Sequence, residues 1–300
     1  VVLDFQDPWV SAWGATQPSM SKAGLSHTVA TILEPRALRA ASFITSVSDV
    51  QNQQMAKRYP WLDSRKMMAL PIGADSAEFA LLRDSPKSGR GIQLATKSIN
   101  FSFVGTIMPR SDPLIKILLG GLSLFRTAHP EVAKKLVLNF IGTSNQPNQF
   151  EVFRVVAMAE AAGVADMVKE VPQRIPYLDA LRVLAQSDGI LMIGSDEEHY
   201  TASKIYPGLM SGRPFLSLFH GASSAYAILS AVGGGVSLAF SSEDEIAGME
   251  REICDGLHVL ATKPDSLGLS NPEVYAPYEA EQIAIQYAEV FDSVCRVGNS

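Results

Sequence analysis

The chain has only two cysteines among its 300 residues, Cys254 and Cys295. A disulfide framework or a cysteine-based metal site is therefore not expected, and a reducing compartment fits this composition. No apolar run approaches the roughly 20 residues that span a bilayer, since Lys116 interrupts the longest candidate, residues 114–125. We expect a cytoplasmic protein, and contact with a membrane surface stays open.

Several catalytic signatures are also missing. The sequence contains no His-x-Glu-x-x-His, Gly-x-Ser-x-Gly, Walker or Cys-x-x-Cys pattern, and its five histidines are not spaced as metal ligands. Metalloprotease, serine hydrolase, P-loop and thiol-redox chemistry thus lack support. We expect neither a metal ion nor a cofactor. A content of 47% hydrophobic and 19% charged residues describes a globular chain long enough for two cores.

The net charge of −6 argues against nucleic acid as the main partner. The charge is unevenly spread, because residues 1–98 carry 11 Lys and Arg against 8 Asp and Glu. A more basic first part is what a protein resting on anionic lipid through that part would show. Ordinary solvated loops would show the same balance, so both interpretations remain.

Apolar segments and helical periodicities alternate along the chain, which predicts a parallel sheet with helices on both faces. In the first part we expect strands at 1–5, 42–45 and 66–70, with helices at 27–40 and 49–59. In the second part we expect strands at 100–104, 135–141, 167–171, 189–193, 214–219 and 236–240, with helices at 112–128, 149–162, 177–186, 203–210 and 223–232. Further helices are predicted from Glu243 and from Tyr278.

These elements predict two domains. Residues 1–80 hold about three strands, too few for a complete doubly wound domain, so we expect the remainder upstream of Val1. Residues 81–98 are polar, contain proline and glycine, and are predicted to be a linker. Residues 99–275 should form a self-contained doubly wound domain, followed by a C-terminal helix within 276–300.

A strand–loop–helix segment at 189–210 is the strongest candidate for a binding site. Ligands of parallel sheets sit at the carboxyl ends of strands, beside helix N-termini. The N–H groups around residues 202–204, including that of Ser203, and the ammonium of Lys204 would suit a phosphate or diphosphate. An ordinary solvated surface lysine is the alternative interpretation.

The residues from Lys204 to Pro214, KIYPGLMSGRP, resemble the K-x-x-E-x-x-x-x-G-x-P segment of GT-B glycosyltransferases, particularly the retaining family GT4. In that family the lysine and the helix N-terminus hold the donor's diphosphate, and the glutamate holds the ribose. Here Pro207 occupies the place of that glutamate, and His199 falls where the first Glu of the family's E-x7-E pair would be. Glu197, Glu198 and His199 are therefore the candidates for ribose or donor-sugar contacts.

Two segments of the first part extend the resemblance. The residues Val2–Trp9, VLDFQDPW, resemble a strand and loop of many GT4 enzymes, which makes Asp7 and Trp9 candidates for acceptor or donor-sugar contacts and Asp7 a catalytic candidate. A turn role before Pro8 is equally compatible with Asp7. The residues Pro71–Phe79 resemble the P-x-G-x-D-x-x-x-F segment that leads GT-B chains out of the first domain.

Strand ends of the second part supply further candidates. Gly105 and Thr106 resemble the family's V-G-R/T turn, where a missing side chain lets the diphosphate approach, with Arg110 available for charge. Gly142 follows the next strand in the same way, and Arg174 lies where the family's backbone reads the base. A tight turn or an ordinary loop explains each of these residues as well.

The resemblance implies a GT-B protein with two Rossmann-like doubly wound domains, the first incomplete, and a last helix that crosses back to the first. It implies retaining, metal-independent transfer of a sugar from a nucleotide sugar to a carbohydrate, lipid-linked or other small-molecule acceptor. Lys204 would stabilise the leaving diphosphate. Two alternatives are a GT-B protein without transfer activity that acts as a binding or assembly partner, and a sugar-nucleotide epimerase.

Overall fold

The computed structural model describes residues 1–82, 92–144, 152–198, 200 and 203–297. Its strands are β1 (Val2–Phe5), β2 (Phe43–Ser46), β3 (Met67–Ala69), β4 (Ile99–Val104), β5 (Leu136–Ile141), β6 (Val168–Val171), β7 (Gly189–Ile193), β8 (Phe215–His220) and β9 (Gly235–Phe240). Its helices are α1 (Ala12–Ala15), α2 (Lys22–Ala40), α3 (Asp49–Arg58), α4 (Ala77–Leu81), α5 (Asp112–Ala128), α6 (Pro130–Ala133), α7 (Arg154–Ala161), α8 (Tyr177–Gln186), α9 (Ile205–Met210), α10 (Ser224–Val232), α11 (Glu243–Ala247), α12 (Glu250–Thr262), α13 (Pro272–Tyr275) and α14 (Ala280–Val297). Short 3-10 turns lie at Ser64–Lys66, Pro109–Ser111, Ala165–Met167, Pro264–Leu267 and Ala276–Tyr278.

The chain divides into two compact units. Unit 1 comprises Val1–Ile72 together with Ala280–Ser300, and unit 2 comprises Gly73–Glu279. Unit 1 therefore combines the beginning of the chain with helix α14. A hydrogen bond of 3.1 Å from the Tyr287 hydroxyl to Asp4 Oδ1 joins α14 to strand β1 within this unit.

Unit 1 is built on a parallel sheet of three short strands in the order β1-β2-β3. Leu3 lies opposite Ile44, and Ile44 lies opposite Met67. The buried apolar cluster of this unit is small, consisting of Phe5, Leu38, Ile44 and Met55. Helices α2 and α3 connect the three strands, and each contributes one side chain to that cluster.

Unit 2 is built on six parallel strands in the order β6-β5-β4-β7-β8-β9. Strand β4 pairs with β5 over its whole length, from Ile99 opposite Leu136 to Val104 opposite Ile141. On its other side β4 pairs with β7 through only two residue pairs, Phe101 with Gly189 and Ser102 with Ile190. The strand order changes direction between β4 and β7, and such a switch point is where open parallel sheets bind ligands.

Helices cover both faces of this sheet, because its strands are apolar on both sides. On β7, Leu191 and Ile193 pack into the cluster that contains α5 and α12, whereas Ile190 and Met192 pack into the cluster that contains α8, α9 and α10. The near-continuous apolar runs that predicted buried strands thus correspond to a doubly wound sheet, and the predicted fold class is confirmed.

Element bounds follow the sequence prediction closely where periodicity is strong. The helices at 112–128 and 177–186 and the strand at 189–193 have the predicted limits. The helix predicted over 203–210 is shorter and begins at Ile205. The helix predicted from residue 149 begins at Arg154, while residues 149–151 lie outside the described part of the chain. Within the described ranges, no helix combines the length and the apolar character needed to cross a bilayer.

Candidate functional site

The loops after β4 and β7 lie side by side at the switch point, since these two strands are paired neighbours. Hydrogen bonds from three side chains join the two loops. Lys204 Nζ donates to the Thr106 carbonyl at 3.1 Å, Arg110 donates to the carboxylate of Asp196, and Ser111 Oγ donates to the Gly194 carbonyl at 2.6 Å. The two loops are therefore held in a fixed relation at the carboxyl edge of the sheet.

Gly105 makes room for Lys204. Its backbone has a φ of +139°, a value that residues with a side chain rarely adopt, and its N–H donates to the Ile141 carbonyl at 2.8 Å. A Cβ atom at this position would lie 3.2 Å from Lys204 Cδ and 3.6 Å from Nζ. The glycine that the sequence indicated as a possible phosphate turn thus also accommodates the lysine side chain.

Lys204 places its ammonium in a partly desolvated environment. The side chain is half-buried, and Nζ lies 4.2 Å from the centroid of the Phe103 ring. Burial lowers the pKa of Lys204 to about 7, because the charged form loses hydration. In the part of the chain that the structure describes, no carboxylate forms an ion pair with this ammonium. The site therefore has an amine whose charged form an anionic ligand could stabilise.

Helix α9 follows directly, with Lys204 as its N-cap residue. Its six residues give only a small helix dipole, so the ammonium is the larger source of positive potential here. Ser203 is exposed in the turn before the helix. Pro207 lies in the first turn, where a missing N–H has no cost because those N–H groups have no partner within the helix. Tyr206 is fully buried and packs on Tyr278 at a ring-centroid distance of 4.9 Å.

Arg110 is engaged by carboxylates. Its Nε lies 2.5 Å from Asp196 Oδ1, its Nη2 lies 2.9 Å from Oδ2, and its Nη1 lies 3.7 Å from Glu197 Oε1. The hydrogen bonds to Asp196 raise the pKa of Arg110. Because two carboxylates offset its charge, Arg110 fixes the loop after β7 and contributes less net charge than the sequence suggested. Glu197 is drawn toward Arg110, Glu198 is exposed, and His199 lies outside the described residues.

The loop after β5 anchors a neighbouring helix. Gly142 has a φ of +73°, and its N–H donates to the Val171 carbonyl at 2.8 Å. Thr143 Oγ1 donates to Glu170 Oε1 at 2.7 Å. The other oxygen of this buried carboxylate accepts from the N–H groups of Val155 and Val156, at the start of α7. Sequence reasoning missed Glu170, because a single glutamate in a short strand carries no sign of this role.

The predicted site residues of unit 2 follow four neighbouring strands. Arg174 is exposed in the loop after β6, Gly142 follows β5, Gly105 follows β4 and Lys204 belongs to the loop after β7. Adjacent strands lie about 4.8 Å apart, so this edge spans about 14 Å. The structure thus brings these four residues to one edge of one sheet, as the sequence predicted.

The candidates Asp7 and Trp9 lie in unit 1, in the loop after β1. Asp7 is exposed, and the Trp9 ring packs against Phe5 at 5.2 Å between centroids. Further along, Val10 is clamped by both of its backbone groups: its N–H donates to Glu34 Oε2 at 3.1 Å, and its carbonyl accepts from Arg58 Nη2 at 2.8 Å.

Glu34 and Arg58 complete this clamp with an ion pair of 2.6 Å, in which the Glu34 side chain is only 1% exposed. The loop that carries Asp7 and Trp9 is therefore tied to both α2 and α3. Sequence reasoning missed the clamp. The only available signal was one carboxylate in the middle of an otherwise uncharged or basic helix.

No family model and no curated protein sequence matches the chain. Solved structures do. HepE of Anabaena in complex with UDP-glucose aligns with a TM-score of 0.63 and 15% identity over 97% of this chain and 72% of HepE. A UDP-forming α,α-trehalose-phosphate synthase from Burkholderia xenovorans aligns at 0.67 and 11% identity over 100% and 69% of the two chains. The corresponding synthase from Burkholderia vietnamiensis aligns at 0.69 and 10% identity over 98% and 67%.

The likeness to these structures shows that this chain has the GT-B fold, with two Rossmann-like units.

Proposed function

We propose that this protein is a glycosyltransferase of the GT4 type, which transfers a sugar with retention and without a metal ion from a nucleotide diphosphate donor to an acceptor. The observation that carries the proposal is the half-buried ammonium of Lys204. It lies at the switch point of the sheet, 3.1 Å from the Thr106 carbonyl, without a carboxylate partner among the described residues.

Glycosyl transfer from such a donor builds negative charge on the departing diphosphate. A cation in a partly desolvated site stabilises that charge more strongly than it would in water. Lys204 is proposed for this role, with the backbone at Gly105, Thr106 and Gly142 and the turn at Ser203 beside the diphosphate. Arg110 is proposed to hold the loop that presents these groups.

The remaining assignments rest on position. Arg174 is proposed to lie near the nucleotide base. It follows β6, the edge strand of the sheet, which is the farthest of the four strands from the loop that carries Lys204. Three residues are proposed near the ribose or donor sugar: Glu197, Glu198 and His199. The two glutamates of the GT4 pattern are missing here, because Pro207 and His199 occupy their positions. Asp7 is proposed to act as a catalytic residue, and both Asp7 and Trp9 are proposed to contact the acceptor or donor sugar. The acceptor is proposed to be a carbohydrate, a lipid-linked sugar or another small molecule.

A uridine nucleotide is the first donor to test, since HepE was crystallised with UDP-glucose and with UDP. Titration calorimetry would compare UDP with uridine for the wild type and for Lys204→Met. A charge-assisted hydrogen bond contributes about 1.5–3 kcal/mol, so the variant should bind UDP roughly tenfold to a hundredfold more weakly. Uridine binding should stay nearly unchanged, because it lacks the diphosphate.

Lys169→Met serves as the matched control, since Lys169 is exposed on β6. It should leave the UDP affinity as in the wild type. An unchanged UDP affinity in Lys204→Met would remove the basis of the proposal.

A second candidate function keeps the binding site without the transfer reaction. Pro207 in place of a ribose-binding carboxylate and the pairing of Arg110 with Asp196 and Glu197 favour it. Release of UDP from UDP-glucose in the presence of an acceptor panel separates the two. Binding of UDP without any release would support the second candidate, and epimerised donor formed without acceptor would indicate a sugar-nucleotide epimerase.

A further inference from the structure

Strand β6 buries a carboxylate to which the proposed sugar transfer gives no role. Side chains alternate along this strand: Lys169 is exposed, whereas Glu170 is 8% exposed and lies on the same face as the buried Val168. A carboxylate at such a position needs partners that replace its lost hydration. In the described part of the chain no cation forms an ion pair with Glu170. Its partners there are three hydrogen-bond donors.

One oxygen of Glu170 holds the start of helix α7. Oε2 accepts from the N–H of Val155 at 2.8 Å and from the N–H of Val156 at 3.0 Å. Phe153, the N-cap residue of α7, provides no side-chain hydrogen bond to the helix. The first N–H groups of a helix need such a partner, so a carboxylate from a neighbouring strand replaces the local cap.

The other oxygen of Glu170 holds the loop after β5. Oε1 accepts from Thr143 Oγ1 at 2.7 Å. The backbone carbonyl of the same Thr143 accepts from the Ile107 N–H at 3.0 Å. Next to it, a Cβ atom on Gly142 would lie 4.0 Å from Gly105 N. The loops after β4 and β5 are therefore in contact, and Glu170 is connected to the loop after β4 through Thr143.

Helix α7 provides a second connection to the same point. Arg154, the first residue of α7, donates from Nη1 to the Ile107 carbonyl at 3.2 Å. Both backbone groups of Ile107 are thus bound, the N–H by Thr143 and the carbonyl by Arg154. The side chain of Ile107 is 3% exposed in the core of the unit. Both oxygens of Glu170 therefore act, through different neighbours, on one residue of the loop after β4.

We infer that Glu170 is a positioning residue for the diphosphate site. Ile107 follows Thr106, whose carbonyl accepts from Lys204 Nζ at 3.1 Å. By fixing Ile107, Glu170 fixes the carbonyl that orients the Lys204 amine. The inference rests on the proposed function, because it takes Lys204 to bind the diphosphate. A carboxylate that served only to cap α7 would affect stability and leave the diphosphate end of the site unchanged.

Thr143→Val tests the inference with the smallest change. The variant keeps the shape of the side chain and the two bonds from Glu170 to α7, and it removes only the hydroxyl. Titration calorimetry should show UDP binding about twofold to tenfold weaker, the range expected for one lost hydrogen bond. Uridine binding should stay nearly unchanged, because uridine has no diphosphate.

Conservative variants should restore the affinity. Thr143→Ser keeps the hydroxyl, and Glu170→Gln keeps an oxygen for α7 and an N–H for Thr143. Both should bind UDP like the wild type. Thr262→Val is the matched control, because Thr262 is an exposed threonine whose hydroxyl bonds the His258 carbonyl of its own helix. Its UDP affinity should equal that of the wild type.

Hydrogen exchange of the Ile107 amide, followed by NMR without nucleotide, measures the loop itself. Exchange should be at least about twofold faster in Thr143→Val than in the wild type, since the carbonyl that accepts from this amide is less firmly held. Thr143→Ser and Thr262→Val should exchange like the wild type. Circular dichroism confirms that each variant is folded.

Three results would overturn the inference. One is an unchanged UDP affinity in Thr143→Val while Lys204→Met binds UDP more weakly, which would leave the proposed function intact. Another is an Ile107 amide that exchanges equally fast in Thr143→Val and in the wild type. The third is an equal loss of UDP and uridine affinity, which would indicate general damage. If neither Thr143→Val nor Lys204→Met changes the UDP affinity, the proposed function fails, and this inference fails with it.

Discussion

Units 1 and 2 stabilise parallel sheets in different ways. Unit 2 packs large apolar clusters on both faces of six strands, whereas the buried apolar cluster of unit 1 consists of four side chains under three short strands. All three tryptophans of the chain lie in unit 1, and each is 44–48% exposed. Unit 1 instead fixes its loop after β1 with a buried ion pair and two backbone hydrogen bonds.

The two units therefore hold their functional loops in place by different interactions. The loops that carry Gly105 and Lys204 rest on strands buried on both faces, so packing positions them. The loop that carries Asp7 rests on polar contacts of Glu34 and Arg58. Removing apolar volume from the core should therefore destabilise unit 2 more than unit 1. Removing one charge of the buried ion pair should destabilise unit 1 most.

The largest expected effect separates the two cores. Phe140 is fully buried on β5, and its ring lies 5.8 Å from that of Phe103. Phe140→Ala should lower the free energy of unfolding of unit 2 by about 3–5 kcal/mol. Phe5→Ala in unit 1 should cost less, because its smaller cluster collapses more easily around the lost ring.

Urea unfolding measures both variants. Circular dichroism follows the whole chain, and tryptophan emission follows unit 1 alone, since Trp9, Trp13 and Trp61 all lie there. Equal losses for Phe140→Ala and Phe5→Ala would contradict the comparison.

The second prediction concerns the ion pair of unit 1. Arg58→Met leaves the Glu34 carboxylate buried without its cation, which should cost unit 1 about 3 kcal/mol. Arg65→Met is the matched control, because the pair of Arg65 with Asp63 is exposed to solvent and should contribute little to stability. Tryptophan emission during urea unfolding measures the stability of unit 1 in both variants. Similar losses of stability would show that burial does not strengthen the pair of Glu34 with Arg58.

The third prediction uses the lowered pKa of Lys204. Its folded pKa of about 7 lies below the unfolded value of 10.5, so between these values the unfolded state binds more protons and stability rises with pH. Lys204→Met removes the cost of burying the ammonium. The variant should be more stable than the wild type by about 1–3 kcal/mol near pH 7, where that cost is fully present.

The advantage of Lys204→Met should shrink as pH rises toward 10.5. Urea unfolding followed by circular dichroism at about pH 7 and about pH 9.5 checks this. A constant difference across that interval would mean that Lys204 titrates like an ordinary surface lysine.

The smallest expected effect concerns two stacked histidines of unit 2. Burial lowers the pKa of His258 most. The neighbouring His129 ring, whose centroid lies 3.8 Å from that of His258, lowers it further. The unfolded state therefore binds more protons as pH falls below about 6.5, and stability is lost on acidification. His258→Phe should lose less stability than the wild type between about pH 7 and about pH 5, measured by urea unfolding. Parallel losses would exclude His258 as a source of the pH dependence.

The sequence predicted the sheet of unit 2 well, because residues 189–193 and 112–128 carry strong periodicity that tertiary packing reinforces. It placed the start of α9 two residues too early. Lys204 is the N-cap residue of the helix, and its side chain donates to the Thr106 carbonyl. A contact across 98 residues cannot be read from local propensity.

The candidate site likewise combines features that the sequence could predict with features that it could not. That Gly105, Gly142, Arg174 and Lys204 share one edge follows from strand direction alone, so the sequence could predict it. The pairing of Arg110 with Asp196 depends on β4 lying beside β7, and strand order is not contained in the hydrophobic pattern. Buried carboxylates such as Glu34 and Glu170 were missed because their partners are backbone groups and distant side chains.

The seam between β4 and β7 has a consequence for folding kinetics. Strands β4 and β5 meet over six residue pairs after one crossover, whereas β4 meets β7 over two pairs and across more than 80 residues of chain. Long loops close at a higher entropic cost, so we expect this seam to join late during folding and to open first in native-state hydrogen exchange. The loops with Thr106 and Lys204 would then gain their relative position only in the last step of folding.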